Sequence, residues 1–243
     1  MNKEKLNQLR RYYDSKALDY DKTYSSFICK AEDVIISKIL KPIATGKVLD
    51  IGSGNGLLCE MLDIDNYTGI ELSHEMVNLS NKKYPKKRFI TGDMHNLPFK
   101  CNTFDSVVSL YGPLSYSLSP KKLITEIIRV VKPNGYIALM PYTKRVQYKL
   151  EIIDDSTALN KEIKKIFYTS AMLKKLLSPL ESISVVGINY FLNTYNRFST
   201  VIDTRRNLSL KQLIHFLEKE TSFCNTIPAE FARHMIGIGE KRT

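Results

Sequence analysis

The stretch Lys47–Leu62, KVLDIGSGNGLLCEML, decides the fold. Val48, Leu49 and Ile51 form an apolar run of the kind that makes a fully buried strand. Glycine then occupies every second position, at Gly52, Gly54 and Gly56, before Leu57, Leu58, Met61 and Leu62 begin a helical pattern. The spacing predicts strand, glycine turn and helix. A plain tight turn does not require three glycines. Removing side chains there lets something touch the backbone, next to the unpaired N–H groups that open the following helix. A nicotinamide-dinucleotide turn is spelled GxGxxG, which would place its last glycine at position 57. That residue is Leu57, so the turn departs from that fingerprint.

Outward from the turn, strands and helices alternate. Tyr67–Glu71 reads as a second strand, and Ser73 is a good N-cap for a helix. RFITGD, Arg88–Asp93, is a third strand, and FDSVVSLY, Phe104–Tyr111, a fourth. Pro120–Val131 is an amphipathic helix that KPNG is expected to close, and GYIALMP is a fifth strand. Further elements follow: a helix in FYTSAMLKKLLSPL, a strand in SISVVGINYF and a last strand in FARHMIGIGEK. Strands apolar along their length, alternating with helices, argue for a parallel sheet covered on both faces. Two segments, Tyr142–Ile166 and Leu192–Glu230, are too long for ordinary loops and are expected to be functional or to contain helices. Asp33–Leu40 carries a helical pattern that Pro42 ends, and Lys3–Tyr24 is polar and helical in character.

The chain has 243 residues and a formal net charge of +11, with 43% hydrophobic and 25% charged residues. That composition suits an ordinary globular protein. The start, MNKEKLNQLRRYY, has no apolar h-region, and no run approaches a membrane span, so a cytoplasmic protein is expected. Cys29, Cys59, Cys101 and Cys224 are scattered and read as free thiols. Neither they nor His74, His95, His215 and His234 show ligand spacing, so no metal is expected. The positive charge permits an anionic partner without identifying one. The densest basic run, Asn81–Phe89, reads most simply as an exposed helix end and turn.

Several motifs then occur in a fixed order: DIGSGNG, YTGIELS, RFITGDMHNLPF, and FDSVVSLY before IIRVVKPNGYIALM. Together they resemble the class I S-adenosylmethionine-dependent methyltransferases over about Tyr12–Pro141. The resemblance implies a Rossmann-like, seven-stranded, mostly parallel sheet with helices on both faces and a reversed strand near the C-terminus. It implies S-adenosyl-L-methionine as cofactor and a single domain: residues 1–45 an N-terminal helical lid, 46–141 the cofactor-binding core, and 142–243 a C-terminal part with substrate-lid insertions.

In that resemblance Glu71 accepts from both ribose hydroxyls, Asp93 from the adenine amino group, and the Met94 backbone N–H serves a ring nitrogen. Each carboxylate also has a plainer reading, Glu71 as a solvated strand end and Asp93 as an Asx-turn acceptor. Asp50 is expected to orient the turn Gly52–Ser53–Gly54 and Gly56 through backbone hydrogen bonds. Leu72, Met76 and Leu110 pack on the cofactor, and Tyr20, ahead of Tyr13 or Tyr24, covers its methionine end. The tyrosines serve equally as an aromatic stripe on the core.

The end of the fourth strand, SLYGPLSYSLSP, lacks the Asn/Asp-Pro-Pro-aromatic signature of adenine or glutamine N-methylation. It supplies Tyr111 and Tyr116 as candidates to flank the substrate, each equally an ordinary packing residue, and His95 is the nearest histidine for a base. The aromatics Tyr190, Phe191, Tyr195 and Phe198 suggest an apolar lid. The function expected is methyl transfer to oxygen or nitrogen of a small molecule or peptide. An RNA methyltransferase using the basic surface is the alternative, and a cofactor-binding regulator without turnover is a third.

Overall fold

The computed structural model describes residues 3–20, 25–145, 165–191, 208–223 and 226–243. Seven strands form one sheet: β1 (Lys47–Ile51), β2 (Asn66–Glu71), β3 (Arg88–Thr91), β4 (Phe104–Ser109), β5 (Val131–Leu139), β6 (Glu181–Ile188) and β7 (His234–Glu240). Their order is β3-β2-β1-β4-β5-β7-β6. The first five pair in parallel, and β7 runs antiparallel to both neighbours. This is the Rossmann-like arrangement expected from the sequence, reversed strand included.

The helices are α1 (Lys3–Lys16), α2 (Phe27–Leu40), α3 (Leu57–Leu62), α4 (His74–Lys83), α5 (Pro120–Val130), α6 (Ser170–Leu177) and α7 (Leu210–Phe223). Successive strand residues point to opposite faces, so the two helix layers divide the apolar side chains between them. Val48, Val108 and Ala138 pack with α2, α3 and α7 through Ile36, Leu58 and Leu217. Leu49, Val107 and Ile137 pack with α5 and α6 through Ile127 and Leu173. Serine and threonine set helix starts: Ser73 Oγ accepts from Met76 N at 3.1 Å, and Thr169 caps α6 in the same way. No helix among the described residues is long and apolar enough to cross a membrane.

One boundary differs from expectation. KPNG does not end α5 as a free turn but lies inside β5, where the pairing with β4 shifts register after Phe104. Asn134 takes a left-handed φ of 61° there, and its N–H and the Gly135 carbonyl bond with Lys241, which keeps the bulge in the sheet. The segment Leu192–Glu230 contains α7, whose Leu213 and Leu217 are buried against α2.

Parallel strands place their carboxyl ends on one edge, where ligands of open α/β sheets bind. The antiparallel β7 brings its beginning, His234, to that same edge beside Tyr142. α1 also lies there. Arg10 Nε donates to the Leu72 carbonyl at 3.2 Å, and Asp14 Oδ1 accepts from Ser73 Oγ at 2.6 Å and Glu75 N at 3.2 Å. The N-terminal helix is thus fastened to the segment that follows β2.

Candidate functional site

A cavity opens at the carboxyl edge between the ends of β1, β2 and β3, the loop after β4, and α1. Among the expected cofactor residues, Tyr20, Asp50, Gly52, Ser53, Gly54, Glu71, Leu72, Met76, Asp93, Met94 and Leu110 all line it. Gly56 does not. A Cβ there would lie 2.7 Å from the Tyr84 ring and 3.0 Å from Phe89, so this glycine, at φ 87°, lets α3 sit against β3 and α4. Gly52 has a similar constraint, because its Cβ would meet Pro113 Cγ at 2.3 Å. Gly54, at φ 51°, has nothing within 4 Å of that position. It is at Gly54 that the turn leaves its backbone open to the cavity.

Glu71 ends β2 and is buried to 9% exposure. Its Oε1 accepts from Leu72 N at 2.7 Å and Ser73 N at 3.0 Å, and its Oε2 from Gly54 N at 3.1 Å. A carboxylate has about four acceptor directions, so one is left, on Oε2. Burial raises the Glu71 pKa above the ordinary carboxylate value, and the bonds from Ser73, Gly54 and Leu72 only partly offset it.

Asp50 was expected to hold the glycine turn by backbone bonds. The turn instead hangs on the Ile70 carbonyl, which accepts from Gly52 N at 2.8 Å and Ser53 N at 3.2 Å. Asp50 Oδ2 takes the Tyr67 hydroxyl at 2.7 Å, since β1 and β2 place the two side chains on the same sheet face. Burial pushes its pKa up to about 7, against the Tyr67 bond and with the charge of Glu71. The cavity therefore holds two buried carboxyl groups that favour either a proton or a ligand bearing cationic and hydroxyl groups.

The far wall is aromatic. Tyr13 and Tyr116 stand edge to face with centroids 6.1 Å apart, and Tyr13 lies 6.4 Å from Tyr20. Burial raises the Tyr13 pKa well above its ordinary value. Leu6, Leu9 and Tyr13 reach the cavity from one face of α1. Sequence reasoning did not assign Leu6 or Leu9 to the site, although their spacing with Tyr13 is helical. Tyr24 lies outside the described residues.

The three candidates for catalysis line the cavity, and two are engaged in ways that remove a free base. Tyr111 donates its hydroxyl to Asp33 Oδ1, and burial and the neighbouring Asp33 charge raise its pKa well above the ordinary tyrosine value. His95 has Nδ1 against Asp93 Oδ1 and Nε2 against Ser117 Oγ, both at 2.8 Å. Tyr116 is buried among Tyr13 and Tyr142. Of the lid aromatics, Tyr190 is 7% exposed and packs on Ala232 and Ile227 away from the cavity, while Phe191 is exposed. Tyr190 therefore belongs to the core of the β6–β7 end. Tyr195 and Phe198 lie outside the described residues. Among the described residues no group of His, Cys, Asp and Glu is arranged for a metal, and Cys29, Cys59 and Cys101 are free thiols.

Residues 49–139 match the family described as a methyltransferase domain. The chain is 33% identical over 135 residues to an uncharacterized protein of Methanocaldococcus jannaschii, covering 55% of this chain and 51% of that protein. It is 28% identical over 123 residues to a demethylmenaquinone methyltransferase of Thermotoga maritima, covering 47% and 53%. The chain thus spans about half the length of the curated relatives it matches. Among solved structures, an S-adenosylmethionine-dependent methyltransferase of Thermotoga maritima superposes with a TM-score of 0.68 at 16% identity, over 96% of this chain and 99% of that one. The methyltransferase in complex with the Trm112 activator of Haloferax volcanii gives 0.63 at 19% identity, over 95% and 98%.

Proposed function

We propose that this chain is a class I S-adenosylmethionine-dependent methyltransferase that holds S-adenosylmethionine in the carboxyl-edge cavity for methyl transfer to oxygen or nitrogen of a small molecule or peptide. The observation that carries this reading is the meeting of open Gly54, Glu71 and Asp93 in one cavity roofed by α1. When bound, the cofactor supplies an activated methyl carbon on a sulfonium. The free acceptor direction of Glu71 Oε2 suits a ribose hydroxyl, and Asp93 suits the adenine amino group. The Met94 N–H serves a ring nitrogen, while Leu72 and Met76 pack on the nucleoside. Asp50 adds negative charge on the side where a cation would rest. Tyr20, Tyr13 and Tyr116 exclude water and orient the acceptor, a contribution worth several kcal/mol, up to about 7–11 in well-oriented cases. Residues 46–141 act as the cofactor core, 1–45 as the lid, and 142–243 carry the acceptor side.

The basic run supports a small acceptor over RNA. Lys82, Lys83, Lys86, Lys87 and Arg88 gather at the end of α4 and the start of β3, whereas Asp93 lines the cavity beyond the other end of that strand. Five residues of extended chain separate Arg88 from Asp93 by roughly 16 Å. Lys83 pairs with Glu60, and Lys87 donates to the Ile64 carbonyl. Transfer of a labelled methyl group to cell metabolites or to total RNA tests the reading. Labelled small molecules or peptides are expected. Labelled RNA, with binding that falls along a log–log salt slope near −0.7 per phosphate, reverses the choice. Binding without any transfer makes the chain a cofactor-sensing regulator.

A further inference from the structure

We propose that His95 is a positioning residue: it fixes the Asp93 carboxylate so that one oxygen faces the adenine ring, and so sets the preference for an amino group over a carbonyl on that ring. The inference rests on the reading of Asp93 as acceptor for the adenine amino group.

His95 is 1% exposed although it lies in a turn two residues beyond Asp93. Asp93 Oδ1 accepts twice from it, from the backbone N at 2.9 Å and the ring Nδ1 at 2.8 Å. A carboxylate is acceptor-only, so Nδ1 carries the proton, and in a neutral imidazole Nε2 must then accept. Ser117 satisfies it, donating Oγ–H at 2.8 Å while its oxygen accepts from Ser119 N at 3.3 Å. For a neutral ring the assignment follows from the network, and reversing the ring would leave Asp93 facing a C–H. Buried polar groups keep one geometry when every member has a partner, and here each does.

The consequence falls on the remaining oxygen. Asp93 is 26% exposed and lines the cavity, and with Oδ1 committed to His95 its Oδ2 is the oxygen left for a ligand. A fixed acceptor rewards an amino group on the ring and opposes a carbonyl oxygen at that place. Without the imidazole, the backbone bond alone holds the carboxylate, and it gains freedom to turn from the ring edge.

Calorimetry with S-adenosylhomocysteine and its 6-oxo counterpart, S-inosylhomocysteine, measures that preference directly. His95→Leu is expected to lower the amino-over-oxo preference about tenfold, the scale of one hydrogen bond to a charged group. His95→Asn, whose amide N–H reaches towards Asp93 as Nδ1–H does, is expected to restore most of it. Nitrogen NMR of the wild type should show the proton on Nδ1. If His95→Leu weakens both ligands equally and keeps their ratio, the histidine only supports the fold and the inference fails. If Asp93→Ala keeps the wild-type preference, the reading of Asp93 fails instead, and the two failures appear in different variants. Should His95→Leu not fold, Ser117→Ala leaves the ring in place: a smaller loss of preference supports the proposal, and an unchanged preference with the proton on Nε2 overturns it.

Discussion

Glu32 and the pair Asp50 and Glu71 are buried carboxyl groups at similar depth with opposite tendencies. Glu32 lies on α2 under the β6–β7 end at 1% exposure. Burial pushes its pKa up, but His234, Arg233 and the Asn189 amide outweigh that, and it falls below the ordinary value. Arg233 Nη1 stands 3.1 Å and His234 Nε2 3.4 Å from Glu32 Oε2, and the Asn189 amide donates to Oε1. At Asp50 and Glu71 no cation among the described residues answers the burial, and both rise. The contrast teaches that burial alone does not mark a functional carboxylate. One with its counter-charge built in is part of the fold, and one without it is poised for something that arrives from outside.

Removing the first group breaks the comparison most violently. Glu32→Ala removes the buried carboxylate that Arg233, His234 and Asn189 share, and a loss of about 3–5 kcal/mol is expected in urea unfolding. Cofactor affinity of the folded variant should not change, because Glu32 lies outside the cavity lining. A stable variant with weakened cofactor binding would erase the distinction.

The pH dependence separates the regions next. A raised Asp50 favours its protonated form in the fold, so its contribution is complete below the ordinary 3.8 and is lost as pH climbs through about 7. Relative to Asp50→Asn, the ligand-free protein should lose up to about 4 kcal/mol between acid and neutral pH. Glu32, being lowered, works in the opposite sense: its contribution is present above the ordinary 4.5 and is lost on acidification. Urea midpoints measured across pH for both variants check the two slopes.

Glu71→Ala sharpens the functional side. One acceptor direction faces the cavity, so the expected loss of S-adenosylhomocysteine affinity is that of one charge-assisted bond, about 1.5–3 kcal/mol. The two ribose contacts implied by the resemblance would give twice that. Unchanged calorimetry would remove Glu71 from the ribose altogether. The smallest effect belongs to Gly54→Ala, where φ of 51° with open space around it predicts a stability cost of only about 1–2 kcal/mol. Gly52→Ala should cost more, because Pro113 blocks its side chain. Thermal denaturation ranks the two.

The half built on β1, β2 and β3 was legible because its pattern is local. β1, the glycine turn, and the acidic ends of β2 and β3 each declare themselves within a dozen residues. Glu32 was not legible: its partners Asn189 and Arg233 lie 157 and 201 residues away. Tyr190 was taken for a lid because an aromatic after a strand looks the same whether it turns to solvent or to Ala232. α7 was hidden within a segment whose length alone could be read. His95 looked like a base because the sequence shows a histidine near the site but not Ser117, 22 residues on, closing its second nitrogen.

The fastening of α1 through Arg10 and Asp14 has a practical side for anyone handling the protein. A bulky label attached to α1 is carried by the helix that roofs the cavity, close to the contacts with Leu72 and Ser73. β7 runs antiparallel and ends at Glu240 opposite Tyr136 and Glu181, on the edge of the sheet away from the cavity. Fluorophores and surface tethers belong on that edge, at the exposed Glu181, where a bulky group leaves the entrance clear.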